Sequence, residues 1–277
     1  MKSILLKFSV IFLVILLSSG FTPKKNKSVQ DFQGKAYYFS KAKMDLGTWG
    51  ARLNEGQKKE IEARLKNRLQ KNYVLTFNKE ESFFEEEDQL DAMSGATDSW
   101  GKNFTPGHQY KNVKTNSQVQ NQEFYGKNFL VKDSLQPIVW VMGKETKEIG
   151  NYTCFKATAS ISTNELTWYN FSWNRLNETT DDSPKDDIAM TIVEAWYTPQ
   201  IPVGHGPLEY WGLPGLILEV SAGNTTILCS KIIINPKEQV EIKAPEKGKI
   251  VSKQEYQQII SKKMIEFRDN RSGRRRG

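Results

Sequence analysis

The sequence runs to 277 residues with a formal charge of +7, 38% hydrophobic residues, two cysteines and two histidines, which is enough chain for one sizeable core. A mean hydropathy of −0.58 does not suit an outer-membrane barrel, and the C-terminal Arg274-Arg275-Arg276-Gly277 is unlike the aromatic closing strand of one. Without Lys2 and Lys7 the charge is +5, and the tail from Lys262 carries seven basic residues against Glu266 and Asp269, again +5, so the folded body is near neutral and no nucleic-acid partner is expected.

Residues 1–20 read as a cleavable signal peptide. Lys2 and Lys7 precede the apolar run Phe8 to Leu17, which is shorter than the ~20 residues a bilayer-spanning helix needs, and Ser18-Ser19-Gly20 supplies small residues for cleavage. No cysteine follows the run, so a lipoprotein anchor is not expected. The expected location is the periplasm or the periphery of the outer membrane.

Residues 21–33 read as a disordered leader and 34–268 as one β-rich domain, followed by a basic tail, 269–277. Gly34 to Ala42 contains strand formers. A helix is expected over about 54–71, with Asn54 as its cap and Ile61, Leu65 and Leu69 on an inward face. Tyr73 to Phe77 and Ser82 to Phe84 read as strands, Glu85 to Asp91 as an acidic loop, and Tyr110 to Val119 as an outer hairpin. Phe129 to Val131, Ile138 to Met142, Tyr152 to Ile161, Leu166 to Trp173 and Ile188 to Thr198 follow as strands. Asn174 to Asp187, with Asp181, Asp182, Asp186 and Asp187, reads as a solvated loop rather than a catalytic carboxylate pair.

The densest stretch is Ala195 to Val220. In Leu213-Pro214-Gly215-Leu216 proline presets φ near −65° and glycine tolerates positive φ, which together predict a type II turn. Leu216 to Val220 then alternates as a strand, Gly223-Asn224 turns it, and Thr225 to Ile234 returns as its partner. A short strand over Val240 to Ile242 and a helix over 251–267 complete the expectation. The fold class is therefore mostly β with flanking helices (α+β), as a single strongly curved antiparallel sheet. Closure by a helix would give an incomplete barrel resembling the lipoprotein carriers.

Motifs of the familiar enzyme classes are absent: there is no G-x-S-x-G, H-E-x-x-H, C-x-x-C, P-loop or G-x-G-x-x-G. His205, between Gly204 and Gly206, reads as an exposed turn residue, and neither a metal centre nor a cofactor is expected. Cys154 and Cys229 either form a disulfide or remain two buried thiols. The aromatic set Trp196, Tyr197, Tyr210 and Trp211, with His205, Leu213 and Leu216, reads either as core or as the rim of a groove for an apolar ligand or a partner strand.

The segment AWYTPQIP, then Gly206-Pro207, then WGLPGLILEV resembles the GLPGLI family of Bacteroidota envelope proteins, on Gly212, Leu213, Pro214, Gly215, Leu216 and Ile217. Phe129 to Ala159, with Gly150-Asn151-Tyr152-Thr153-Cys154, resembles that family's central block. The resemblance brings no catalytic residues with it. It implies an accessory role beside TonB-dependent outer-membrane transporters.

The expected function is thus an exported, non-enzymatic binding or accessory protein of the envelope. Its ligand would be an apolar molecule or amphiphile, or its partner an outer-membrane protein, and the basic tail would touch anionic envelope surface. A hydrolase using His205 and a structural scaffold without ligand are the alternatives.

Overall fold

The computed structural model describes residues 32–43, 50–87, 105–171, 173, 189–238 and 241–273. Within them twelve strands form one open sheet. They are β1 (Gln33–Ala42), β2 (Gln70–Asn78), β3 (Glu81–Glu86), β4 (Gln109–Asn112), β5 (Ser117–Phe124), β6 (Lys127–Ser134), β7 (Val141–Ile149), β8 (Tyr152–Ser162), β9 (Met190–Thr198), β10 (Leu216–Ala222), β11 (Thr225–Ile234) and β12 (Lys249–Val251). The helices are α1 (Glu55–Arg64), α2 (Lys66–Leu69), α3 (Thr163–Leu166) and α4 (Lys253–Gly273). Phe32 to Gly277 forms a compact unit of its own.

The strand order is β12-β6-β5-β4-β3-β2-β1-β11-β10-β9-β8-β7. Every pairing is antiparallel except β12 against β6, which is parallel. Tight turns explain several of the neighbours. Gly223 has φ +57° between β10 and β11, Gly150 has φ +60° between β7 and β8, and Tyr125 and Gly126 (φ +47° and +75°) join β5 to β6, a pair of left-handed residues typical of a two-residue hairpin. The expected hairpin at Leu216 to Ile234 is present, with Ala222 opposite Thr225 and Glu219 opposite Leu228.

Three apolar clusters fill the interior. One joins Ala36, Tyr38, Leu75, Phe77 and Phe84 to Leu216 and Leu218. A second packs Ala157, Val193, Ala195 and Tyr197 against Leu213 and Ile217. A third sets Phe124, Phe129 and Trp168 against Tyr256 and Ile260 of α4. Each large side chain removed from water here contributes about 1.5–3 kcal/mol, so the three clusters hold the sheet, its long loop and α4 together.

Several expectations need correcting. Leu166 to Trp173 is not a strand: α3 ends at Leu166, Thr167 N–H and Oγ1 both bond the Thr163 carbonyl, and Asn170 N–H bonds that of Thr167. This winding is what lets the Trp168 ring sink against Tyr256. Glu241 and Ile242 form no strand and Val240 lies outside the described residues, whereas Lys249–Val251 pairs with β6. Asn54 does cap α1, in a reciprocal box with Gln57, yet none of the residues of α1 is buried. Glu85 and Glu86 belong to β3 rather than to a loop. Asp88 to Asp91, the Asn174 to Asp187 loop, residues 1–31 and the arginines Arg274 to Arg276 lie outside the described residues. Gln33 already belongs to β1, and α4 runs on to Gly273.

Candidate functional site

β4 and β5 carry polar residues at every second position, Gln109 and Lys111 on one strand and Gln118, Gln120 and Gln122 on the other. Alternate residues share a face, and pairing sets Lys111 between Ser82 and Gln118, and Gln109 opposite Gln120. All of them are buried. An inward polar stripe of this kind demands partners, and the loop between β9 and β10 provides them by crossing over it.

Lys111 is fully buried, and its ammonium donates to three loop carbonyls, those of Gly206 at 2.8 Å, Leu208 at 2.6 Å and Tyr210 at 3.3 Å. Desolvation pushes its pKa down to about 7, while the Glu209 carboxylate favours the charged form. Glu209 Oε1 accepts from Trp168 Nε1 at 2.9 Å, Gln109 Nε2 at 3.0 Å and Gln118 Nε2 at 3.4 Å, and Oε2 faces Lys253 Nζ at 3.4 Å. A carboxylate so supplied with donors is held in place by charge-assisted hydrogen bonds.

His205 is the plainest correction. It is fully buried, not in an exposed turn, because the loop folds its ring against Phe77. Its Nε2 lies 3.1 Å from the Asn78 carbonyl and donates to it. Burial, helped by the nearby Lys111, lowers its pKa to about 3, so the imidazole is neutral. The Nδ1 atom has no hydrogen-bond partner among the described residues. No Ser, Asp or Glu side chain bonds this ring among the described residues.

The proline-glycine corner is also built differently from the expectation. Gly215 does not have positive φ; Gly212 does, at +89°. What makes Gly215 necessary is close approach, since a Cβ there would lie 2.2 Å from the Thr198 carbonyl oxygen. A Cβ at Gly206 would likewise lie 2.7 Å from Ile217 Cδ1. The loop closes on itself through Gly212 N–H to the Gly204 carbonyl, Leu216 N–H to that of Ile201 and Ile217 N–H to that of His205.

The aromatic residues singled out in the sequence do not line one hollow. Trp196 and Leu216 belong to the first apolar cluster, and Tyr197, Tyr210 and Leu213 to the second. Trp196 lies under Lys147, whose Nζ is 4.2 Å from the ring centroid. Trp211 is half-buried, bonding the Gln136 carbonyl through Nε1 while its own carbonyl accepts from Trp140. Of the corner, Gly212 and Pro214 are exposed, while Leu213, Gly215 and Leu216 are buried. Cys154 and Cys229 are buried free thiols, raised by burial to about 11 and about 12, which makes both poor nucleophiles.

Between Gln109, Gln120, Tyr169, Leu208 and Glu209 lies a cavity of about 20 Å³, room for one water, and the Gln109 Oε1 atom in its lining has no partner among the described residues. Among those residues there is also no group of three His, Cys, Asp or Glu side chains placed to hold a metal ion, and no helix is long and apolar enough to cross a membrane. Sequence reasoning passed over Lys111 and the glutamines, and considered Glu209 only as an improbable metal ligand beside His205. The signal is Gln118-x-Gln120-x-Gln122, a period-2 pattern in a polar stretch at the end of the expected outer hairpin, Tyr110 to Val119.

A family described as a protein of unknown function (Porph_ging) matches residues 140–219, a span that takes in β7 to β9, the long loop and the start of β10. The chain is similar in structure to PNGF-II. Against the C2 crystal form the identity is 14% over 83% of this chain and 33% of that one, with a TM-score of 0.46. Against the P21 form the values are 15%, 79%, 31% and 0.41. The chain therefore spans about a third of the length of that protein. No curated protein matches it.

Proposed function

We propose that the protein is an exported, non-enzymatic accessory of the cell envelope that binds an outer-membrane protein partner, such as a TonB-dependent transporter, through the outer face of β7 to β9. One observation carries this reading. Thr158, Ser160 and Ser162 are alternate residues of β8, and pairing places Val141, Ile192 and Met190 opposite them, on the same face. Val141, Ile192 and Met190 are 64%, 67% and 51% exposed, so apolar side chains gather where water would otherwise be met by polar ones. This patch adjoins β7, which ends the sheet.

The interior supports the same choice. The groups with useful chemistry, Lys111, Glu209 and His205, are occupied in holding the loop, and the cavity beside them is of water size. The carrier-like incomplete barrel is the finer form of the proposal and requires a hollow lined by Trp196, Tyr197, Tyr210 and Leu213. Those side chains are packed, so binding of a partner at the outer face is preferred over an enclosed amphiphile.

The test is site-specific photocrosslinking in the native envelope. A photoreactive residue at Val141 or Ile192 should capture one outer-membrane protein, whereas the same residue at Glu62 on α1 should not. No adduct from either β-strand position, or the same adducts from Glu62, would contradict the proposal.

A further inference from the structure

One end of the molecule brings three half-exposed aromatic side chains together from three separate elements. Tyr125 comes from the β5–β6 turn, Trp173 from the segment after α3, and Phe267 from α4, with 40%, 38% and 37% of their surfaces exposed. The rings of Tyr125 and Phe267 meet edge-on at 4.9 Å, and the Arg268 guanidinium lies 5.4 Å from the Trp173 ring. Lys263 Nζ sits 5.0 Å from the Phe267 ring. Packing alone does not call for aromatic rings left in water beside cations, whereas a bilayer interface rewards that combination: rings settle at headgroup level and cations meet lipid phosphates.

The charge around the rings has the matching sign. Lys262, Lys263 and Arg268 are exposed on α4. Glu266 and Asp269 neutralise part of this through exposed pairs with Lys263 and Arg268, and such surface pairs hold charge only weakly. Lys262, Lys263 and Arg268 against Glu266 and Asp269 leave a net charge of +1 on this stretch of α4.

We infer that the end formed by Tyr125, Trp173, Phe267, Lys262, Lys263 and Arg268 docks on an anionic phospholipid surface, its rings at the headgroup layer and its cations against the phosphates. This surface is separate from the outer face of β7 to β9 and does not depend on the partner proposed for that face.

Co-sedimentation with vesicles tests the inference on the chain from Phe21 onward, the form export would leave, without the apolar run that would partition unaided. Binding is expected to vesicles mixing phosphatidylglycerol into phosphatidylcholine, to weaken as salt is raised, and to be slight on phosphatidylcholine alone. Lys262→Gln and Lys263→Gln should each lower partitioning about fivefold. Tyr125→Asn with Phe267→Ser should lower it further at unchanged circular dichroism; asparagine accepts the left-handed backbone at position 125, so the turn survives. A chain ending at Asn270 should retain anionic binding that these substitutions weaken. Equal binding to both kinds of vesicle, indifference to the aromatic substitutions, or complete loss on removing residues 271–277 would overturn the assignment.

Discussion

The Lys111 ammonium on β4 donates at 2.6 Å to the carbonyl oxygen of Leu208, a residue whose backbone is left-handed, at φ +46°. A leucine pays for that conformation sterically, and two further carbonyls, from Gly206 and Tyr210, converge on the same ammonium. The lysine therefore dictates the path of the β9–β10 loop from its opposite side.

Removing it should be costly. Lys111→Met keeps much of the volume but leaves three carbonyls without their donor, and we expect a loss of roughly 3 kcal/mol in urea unfolding. The pH dependence gives a sharper signature. Burial brings the folded pKa down to about 7 from 10.5, so between those values the unfolded chain binds more protons and stability rises with pH. The gap between wild type and Lys111→Met should widen by up to about 1.4 kcal/mol per pH unit above neutrality. A gap that stays constant would count against a buried, desolvated amine.

His205 should set the acid limit. Its folded pKa of about 3 lies below the ordinary 6.5, so as pH falls below 6.5 the unfolded chain takes up a proton that the folded chain refuses. Stability is lost across that window. By pH 4.5 this amounts to roughly 2–3 kcal/mol. His205→Gln, which keeps an N–H donor for the Asn78 carbonyl, should remove that slope; equal acid sensitivity of the two proteins would show that the imidazole is accessible.

The two glycines of the corner should respond in opposite ways. Gly215→Ala drives a methyl into the Thr198 carbonyl and should lower Tm strongly, by the equivalent of about 3 kcal/mol or more. Gly212→Asn meets open space and a left-handed backbone that asparagine tolerates, and should cost under about 1 kcal/mol. Thermal unfolding of the two variants side by side checks the order.

Cys154 and Cys229 should titrate as two free thiols in denaturant and react slowly when the protein is folded, since burial raises both. A reductant should leave Tm unchanged. A shift in Tm on reduction would reveal a bridge.

Local patterns made much of this fold legible. Leu216 to Ile234 announces its hairpin through alternation and Gly223-Asn224, and Asn54 announces the start of α1. What stayed hidden depends on contacts far apart along the chain. Nothing near Lys111 in sequence says that the Leu208 carbonyl will lie against it, and a strand of alternating glutamines ordinarily faces water. His205 between two glycines looked like a loop tip for the same reason: the burial comes from β2 and β4, not from its neighbours. Leu166 to Trp173 misled because its threonine and aromatic residues favour strands, although the Trp168 ring packs against Tyr256 of α4.

Either the Ile201 to Ile217 loop is part of the interior or it is a mobile rim above it. Amide hydrogen exchange resolved at Gly212, Leu216 and Ile217, whose N–H groups bond the carbonyls of Gly204, Ile201 and His205, measures this directly. Protection close to that of the β1 and β2 amides is the predicted result; exchange of those three amides orders of magnitude faster than the sheet would mean that the loop opens on its own and the interior is accessible.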